Sequence, residues 1–308
     1  MTATESRRPG LPAGRAGHLV GKGLFVRQAW SLAASAPDSV ARWARALALD
    51  FVVVKVLHGA QAAGCGPDDP ATGGVIDALR TARITVWGWA DACGLDDAPE
   101  AAAEALEASA SELGLSRWVW TPAAGCQPET LESWVAHLET LRRAAVVDQL
   151  GMLFDACSAT GSYDAGDLGF RRSLVDCAKV LMPVVSSAGS VGLIAPALAG
   201  TRGQQDVVPV LIPAIATGRD AAAHTLGGDT LEAHSLDSHM LDAPTASGPG
   251  EVGSFMVSAF VAGAAGVALL AWDDLIHTRA GRTVLEDFGR AVWPPPDAVA
   301  VGETTTDI

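Results

Sequence analysis

Two carboxylates lie at the ends of short apolar segments. If these segments are buried strands, the carboxylates lie where each strand ends near the protein surface. Asp91 follows the segment TVWGWA, and Asp155 ends the segment GMLFD. Two such groups can divide acid and base roles, because an apolar wall raises the pKa of one while the other stays ionised. We therefore predict Asp91 and Asp155 as a catalytic pair. The structural alternative is that each aspartate caps a helix or pairs with a basic residue such as Lys55 or Arg27.

Other polar side chains at the ends of these segments could contact a substrate. Lys55 and His58 lie at the end of FVVVKVLH, and Asp273 directly follows LLAW. If the ends of these strands share one edge, their side chains converge on the same volume. We predict Lys55, His58 and Asp273 as substrate-binding residues.

Tryptophan is unusually frequent, with nine Trp against one Tyr. Strand alternation places Trp87 and Trp89 on one face of their segment, and Trp118 and Trp120 on one face of the next. Exposed indole rings would form a platform for sugar rings, whereas buried rings would fill the core. On the first interpretation, we predict Trp89, Trp120 and Trp272 as substrate-binding residues.

A His- and Asp-rich stretch lies within residues 218–250. It includes His234, Asp237, His239 and Asp242, which are ligand types suited to Zn²⁺ or Mn²⁺. Their spacing matches no metal motif such as H-E-x-x-H, so a solvated loop is the favoured interpretation. We predict no metal and no other cofactor. A Walker A sequence, which would bind nucleotide phosphates, and a G-x-S-x-G nucleophile elbow are both absent. The five cysteines form no C-x-x-C pair, which favours reduced thiols.

These residues would be positioned by short apolar strands alternating with helices. Near-continuous apolar strands are typical of parallel sheets buried on both faces. The strand candidates are 23–28, 51–57, 85–90, 117–120, 151–155, 180–185, 208–215 and 267–271. The helix candidates are 38–47, 74–82, 99–113, 128–144, 167–177 and 251–262, with a weaker one at 190–198.

Eight strands separated by crossover-length segments predict an α/β fold, a single (β/α)8 TIM barrel. A doubly wound sheet is the alternative, but no G-x-G-x-x-G follows the first strand. We expect the barrel to span residues 21–293, with a disordered N-terminal segment at 1–20 and a disordered tail at 294–308. The long loop at 218–250 follows the seventh strand, on the face where barrel active sites lie, and could be a lid or a partner contact.

Several segments resemble glycoside-hydrolase-like TIM barrels, the group that includes lysozyme-type peptidoglycan hydrolases. The opening GLFVRQAWSLAASAPDSVARWARALALDFVVVKVLHG is similar to the first βαβ unit of that group. The third unit is matched by ARITVWGWADACGLDDAPEAAAEALEASASELGL, and the terminal helix and strand by GSFMVSAFVAGAAGVALLAWDDL. The resemblance implies a glycan ligand such as peptidoglycan.

The chain departs from the catalytic pattern of that group. Its members commonly carry catalytic carboxylates at the end of strand four, or glutamates on strands four and seven. Here strand four, RWVW, is followed by Thr121 and Pro122, and strand seven reads VVPVLIPAIATG without a carboxylate. Glycoside hydrolysis requires a proton donor and a second carboxylate. We therefore expect a catalytically degenerate barrel that binds a glycan or serves as a component of a larger assembly, with protein contacts through 218–250. The alternative is an active hydrolase that uses Asp91 and Asp155.

Composition excludes several other classes. The 308 residues carry a net charge of −14, which argues against nucleic acid or an anionic membrane as the main partner. Hydrophobic residues make up 49% and charged residues 18%, so a large core is expected. The first twenty residues lack an apolar signal region, and the apolar stretch 255–272 is broken by glycines. We expect a cytoplasmic protein, or one exported without a classical signal peptide.

Overall fold

The described residues form eight barrel strands and six helices. The computed structural model describes residues 19–29, 32, 36–58, 61–62, 70–91, 99–121, 136, 139–140, 146–155, 178–185, 206–213, 250–270 and 272–294. The predicted disordered ends, the helix candidate 167–177, most of 128–144 and nearly all of the loop 218–250 lie outside these residues.

The apolar segments form a closed barrel of parallel strands. Each strand pairs with its neighbours in sequence, and the first strand pairs with both the second and the last, which closes the ring. The strands are β1 (Gly21–Val26), β2 (Phe51–His58), β3 (Thr85–Asp91), β4 (Arg117–Thr121), β5 (Gln149–Asp155), β6 (Val180–Val185), β7 (two pieces, Asp206–Val207 and Val210–Leu211) and β8 (Gly266–Leu269). This confirms the predicted (β/α)8 barrel, and the closure excludes a doubly wound sheet. A two-residue strand, Gln61–Ala62, runs antiparallel to the end of β2.

Helices pack on the outside of the barrel; in the described residues four of them connect strands and two follow the last strand. They are α1 (Pro37–Ala46), α2 (Pro70–Thr81), α3 (Pro99–Leu113), α4 (Glu251–Val261), α5 (Trp272–Leu275) and α6 (Arg279–Arg290). The first four lie where the sequence predicts helices. Helix α6 was not predicted from the sequence, although Thr278 caps it by accepting a hydrogen bond from the backbone N–H of Gly281 (2.9 Å). Its buried face, with Val284, Leu285 and Phe288, has the helical spacing that could have revealed it.

Strand alternation divides the core into two layers. Phe25, Val53, Trp87 and Trp89 pack inside the barrel. The alternate residues of the same strands pack outward against the helices, in a layer that includes Trp118, Trp120 and Trp272. The predicted pairing of tryptophans by face is therefore confirmed, and the two pairs lie in different layers.

Four helices end in the same turn. After α1, α2, α3 and α4, a residue with positive φ is followed by a backbone N–H that donates to a carbonyl five residues earlier, as in a Schellman motif. Glycine occupies the positive-φ position in two of these turns, at Gly114 and Gly263. Ala48 (φ 52°) and Arg83 (φ 62°) occupy it in the other two, in a conformation that costs a side-chain-bearing residue about 1 kcal/mol.

A buried lysine fastens the amino-terminal edge of the barrel to the last helix. Lys22 on β1 is 3% exposed, and its Nζ donates to the carbonyls of Phe288 (2.8 Å), Gly289 (3.1 Å) and Ala291 (2.7 Å). These carbonyls lie at the end of α6, where they lack helical partners and carry the negative end of the helix dipole. The ammonium group thereby joins the first strand to the end of the described chain.

The described residues include no helix with the length and apolar character needed to cross a lipid bilayer. The stretch 255–272 instead contributes the end of α4 and all of β8, as the sequence predicts.

Two glycines of the barrel strands give a test of how tightly the layers pack. A Cβ on Gly88 would lie 2.7 Å from ring atoms of the fully buried Trp118. We expect Gly88→Ala to lower the free energy of unfolding by about 1–3 kcal/mol, because a buried indole has no room to move. Urea denaturation measures this change.

Gly151→Ala is the matched control. A Cβ there would meet Val119, Trp87 and Met182 no closer than 3.4 Å, which is ordinary contact. We expect a change below about 1 kcal/mol, since the added methyl group fits and alanine restricts the unfolded chain. Equal destabilisation by the two substitutions would contradict this account of the packing.

Candidate functional site

Polar side chains replace apolar ones in the last inward layer of the barrel. On β2, β3 and β4 the inward residues Val53, Trp89 and Val119 are followed two residues later by Lys55, Asp91 and Thr121. These positions lie at the carboxyl ends of the strands, which we call the mouth of the barrel. Ligands of this fold bind at that end.

Asp91 is the centre of a charged cluster at the mouth. It is 4% exposed, and its Oδ2 lies 2.6 Å from Lys55 Nζ. Its Oδ1 lies 2.7 Å from His58 Nδ1. We call Lys55, His58 and Asp91 the mouth cluster. Within it both oxygens of the carboxylate are engaged, while the His58 side chain is 42% exposed.

The protonation of this cluster follows from its contacts. Burial alone would raise the pKa of Asp91, but the hydrogen bond from His58 and the charge of Lys55 outweigh it, so the pKa lies below its usual value. An ionised carboxylate can only accept hydrogen bonds, so His58 Nδ1 carries a proton and donates it. His58 Nε2 has no hydrogen-bond partner among the described residues, so this nitrogen can contact a ligand. The sequence predicts that one carboxylate at the strand ends has a raised pKa, and Asp91 is not that carboxylate.

A register shift in β2 brings Lys55 and His58 to the same carboxylate. Side chains three residues apart on a regular strand point to opposite faces. Here Lys55 pairs with Trp89 and Leu57 pairs with Ala90, so β2 has one extra residue, as in a β-bulge. His58 consequently pairs with Asp91, and its ring reaches the same side as the Lys55 ammonium group.

Trp89 forms the floor beneath this cluster. Its indole Nε1–H donates to Thr121 Oγ1 (2.8 Å), and Lys55 Nζ lies 5.1 Å from the ring centroid. Phe25 meets the same indole edge-on at 5.5 Å. Thr121, at the end of β4, here satisfies a buried indole donor. This role of Thr121 was not predicted from the sequence.

A second charged group lies where β1 and β8 end. Asp273 is 2% exposed, and its Oδ1 accepts the backbone N–H of Arg27 (2.9 Å). The Arg27 guanidinium pairs with Asp274. Burial, reinforced by the charge of Asp274, raises the pKa of Asp273 to about 6, with Arg27 opposing the rise. The raised pKa expected of a mouth carboxylate is thus found at Asp273.

The predicted site residues separate into four groups, one of which is the buried Asp273 at the ends of β1 and β8. Lys55, His58, Asp91 and Trp89 come together at the mouth. Trp120 and Trp272 are fully buried in the layer between barrel and helices, so neither ring is available as an exposed platform. The backbone of Asp155 pairs with Val184 at the end of β5, and its side chain lies outside the described residues.

The described residues contain no group of three or more His, Cys, Asp or Glu arranged to hold a metal ion. The stretch that raised the metal hypothesis, including His234 and His239, lies outside them.

The comparisons with known proteins identify the fold. Neither a family model nor a curated protein sequence matches the chain. Active domain 2 of a thermostable chitinase from Pyrococcus furiosus is similar in structure, with a TM-score of 0.54 and 12% identity over 82% of this chain and 84% of that one. The thermostable aldo-keto reductase Tm1743 has a TM-score of 0.51 and 11% identity over 94% of this chain and 97% of that one. Two differently named enzymes share this architecture with the chain, so the similarity shows the fold alone.

The raised pKa of Asp273 predicts a specific dependence of stability on pH. Because its folded pKa of about 6 exceeds the usual value of 3.8, the native state binds the proton more tightly than the unfolded state. This contribution is complete below the unfolded pKa and is lost as the pH rises through about 6. We expect Asp273→Asn to remove a pH-dependent term of at most about 3 kcal/mol between pH 4 and pH 7.

The measurement is urea denaturation of the wild type and the Asp273→Asn variant at several pH values. Asparagine keeps an oxygen for the Arg27 N–H, so the contact itself survives. The variant should gain stability relative to the wild type as the pH rises from 4 to 7. Parallel profiles would show that Asp273 titrates normally.

Proposed function

We propose that this chain is a glycoside-hydrolase-like barrel that binds a glycan at its mouth without cleaving it. The observation that carries the proposal is the mouth cluster, in which a buried carboxylate is engaged on both oxygens by Lys55 and His58. The cluster supplies fixed donors and an exposed imidazole at the end of the barrel where ligands of this fold bind.

The state of the carboxylates supports a role without hydrolysis. Cleavage of a glycosidic bond needs a proton donor beside a second carboxylate. Asp91 is ionised at neutral pH because its pKa is lowered, so it is a poor donor. Asp273 has the raised pKa of a donor, but it is 2% exposed and holds the Arg27 backbone. Neither group combines a proton with access to a substrate.

The polar mouth also suits the chemistry of a sugar. Hydroxyl groups both donate and accept hydrogen bonds, and the exposed edge of His58 presents Nε2 as a hydrogen-bonding atom. Lys55, 18% exposed, offers ammonium hydrogens beyond the one directed at Asp91. The chitinase domain of similar fold was determined with chito-oligosaccharides, which makes chitin a sensible probe beside peptidoglycan.

The proposal is tested by co-sedimentation with insoluble peptidoglycan and with chitin, using cellulose as a neutral polysaccharide control. Protein depletion and released reducing ends are both scored. We expect the wild type to sediment with peptidoglycan or chitin and to release no reducing ends. His58→Ala should weaken binding at least fivefold, because it removes the exposed ligand-facing ring.

His277→Ala is the matched control. This exposed histidine lies between α5 and α6 and has no contact with the mouth cluster in the described structure. It should bind as the wild type does. Sugar release that Asp155→Asn abolishes would overturn the non-catalytic proposal in favour of a hydrolase using Asp91 and Asp155. Absence of binding to every glycan would overturn glycan recognition and leave a role in a protein assembly.

A further inference from the structure

A pocket lined by arginines lies at the opposite end of the barrel from the mouth. It encloses about 350 Å³ between the end of α2, the start of β3 and the start of β4. We call it the arginine pocket; its polar lining comprises Arg80, Arg83, Arg117, Thr85 and Ser116. No residue that lines it is acidic. The pocket lining therefore carries three guanidinium groups in a chain whose net charge is −14.

The three arginines differ in how far they are engaged. Arg80 is held by its hydrogen bond to the carbonyl of Gly114 (2.6 Å), and the exposed Asp77 lies 3.6 Å from it. Within the described part of the chain, the guanidinium groups of Arg83 and Arg117 have no hydrogen-bond or ion-pair partner. The pocket lining thus contains two guanidinium groups without a partner among the described residues and a third that is held by a backbone carbonyl.

Arg83 occupies a backbone position that would suit glycine better. Its φ of 62° places it at the turn position that Gly114 and Gly263 occupy after other helices. Buried side-chain contacts do not compensate for this backbone strain, because the Arg83 side chain is exposed. A guanidinium that serves a ligand would explain why a large residue stands there.

We propose that the arginine pocket binds the phosphate group of a small phosphorylated molecule. Guanidinium groups present planar forks of donors that match oxyanions, and three of them offer more donors than the two oxygens of a carboxylate can accept. The hydroxyls of Thr85 and Ser116 can donate to the remaining phosphate oxygens. The volume lies near the lower limit for small-ligand pockets, which favours a small molecule. This site is independent of the proposed glycan binding.

The experiment measures binding of inorganic phosphate and pyrophosphate by isothermal titration calorimetry on the full chain, against sodium chloride of equal ionic strength. We expect the wild type to bind pyrophosphate more tightly than phosphate. Arg83→Gly should weaken binding at least tenfold while relieving the strained turn, so the loss cannot be assigned to unfolding. Arg117→Gln should weaken it similarly, and thermal denaturation checks that both variants are folded.

Ala48→Gly is the matched control, because it relieves the same strain in the equivalent turn after α1 without touching the pocket. It should bind pyrophosphate as the wild type does. His58→Ala should also leave pyrophosphate binding unchanged, which separates this site from the mouth. The proposal is overturned if the wild type responds no more to pyrophosphate than to chloride, or if Arg83→Gly and Arg117→Gln bind it normally. Equal affinity for citrate would overturn its phosphate specificity.

Discussion

The fold depends on the seam at which β1 joins β2 and β8. A parallel sheet that does not close leaves two edges of unpaired backbone groups, and the pairing of β1 on both sides removes them. Glycines make the seam possible: a Cβ on Gly266 would lie 2.5 Å from the carbonyl oxygen of Gly21, and the Phe51 ring occupies the space beside Gly23. Lys22, between these two glycines of β1, then secures the seam to α6.

Closure fixes what each strand presents at the mouth. Alternation sends every second side chain inward, so the polar groups that follow the inner apolar layer converge at the end of the barrel. There a buried carboxylate is tolerated only with partners, because desolvation penalises an isolated charge. Asp91 forms an ion pair with Lys55 and a hydrogen bond with His58. Asp273 instead accepts a hydrogen bond from a backbone N–H and lies beside another carboxylate. Their pKa values consequently move in opposite directions.

The two ends of the barrel carry different electrostatics. At the mouth, basic groups are matched by nearby carboxylates, as in Lys55 with Asp91 and Arg27 with Asp274. At the opposite end, the arginine pocket gathers positive charge without acidic residues in its lining. The charges at the mouth are paired, those of the arginine pocket are not balanced by acidic lining residues, and the barrel core separates the two ends.

The sequence alone determined the barrel, because eight apolar segments with helices between them permit few other arrangements, and it placed Lys55, His58 and Asp91 at strand ends. Helix α6 was not predicted from the sequence, although its buried residues Val284, Leu285 and Phe288 have helical spacing. Only the tertiary structure decided that Trp89 lies inside the barrel while Trp120 lies outside it, since alternation fixes which residues share a face but not which face is inward. The extra residue in β2 also depends on pairing with β3, and that pairing directs Lys55 and His58 to one carboxylate.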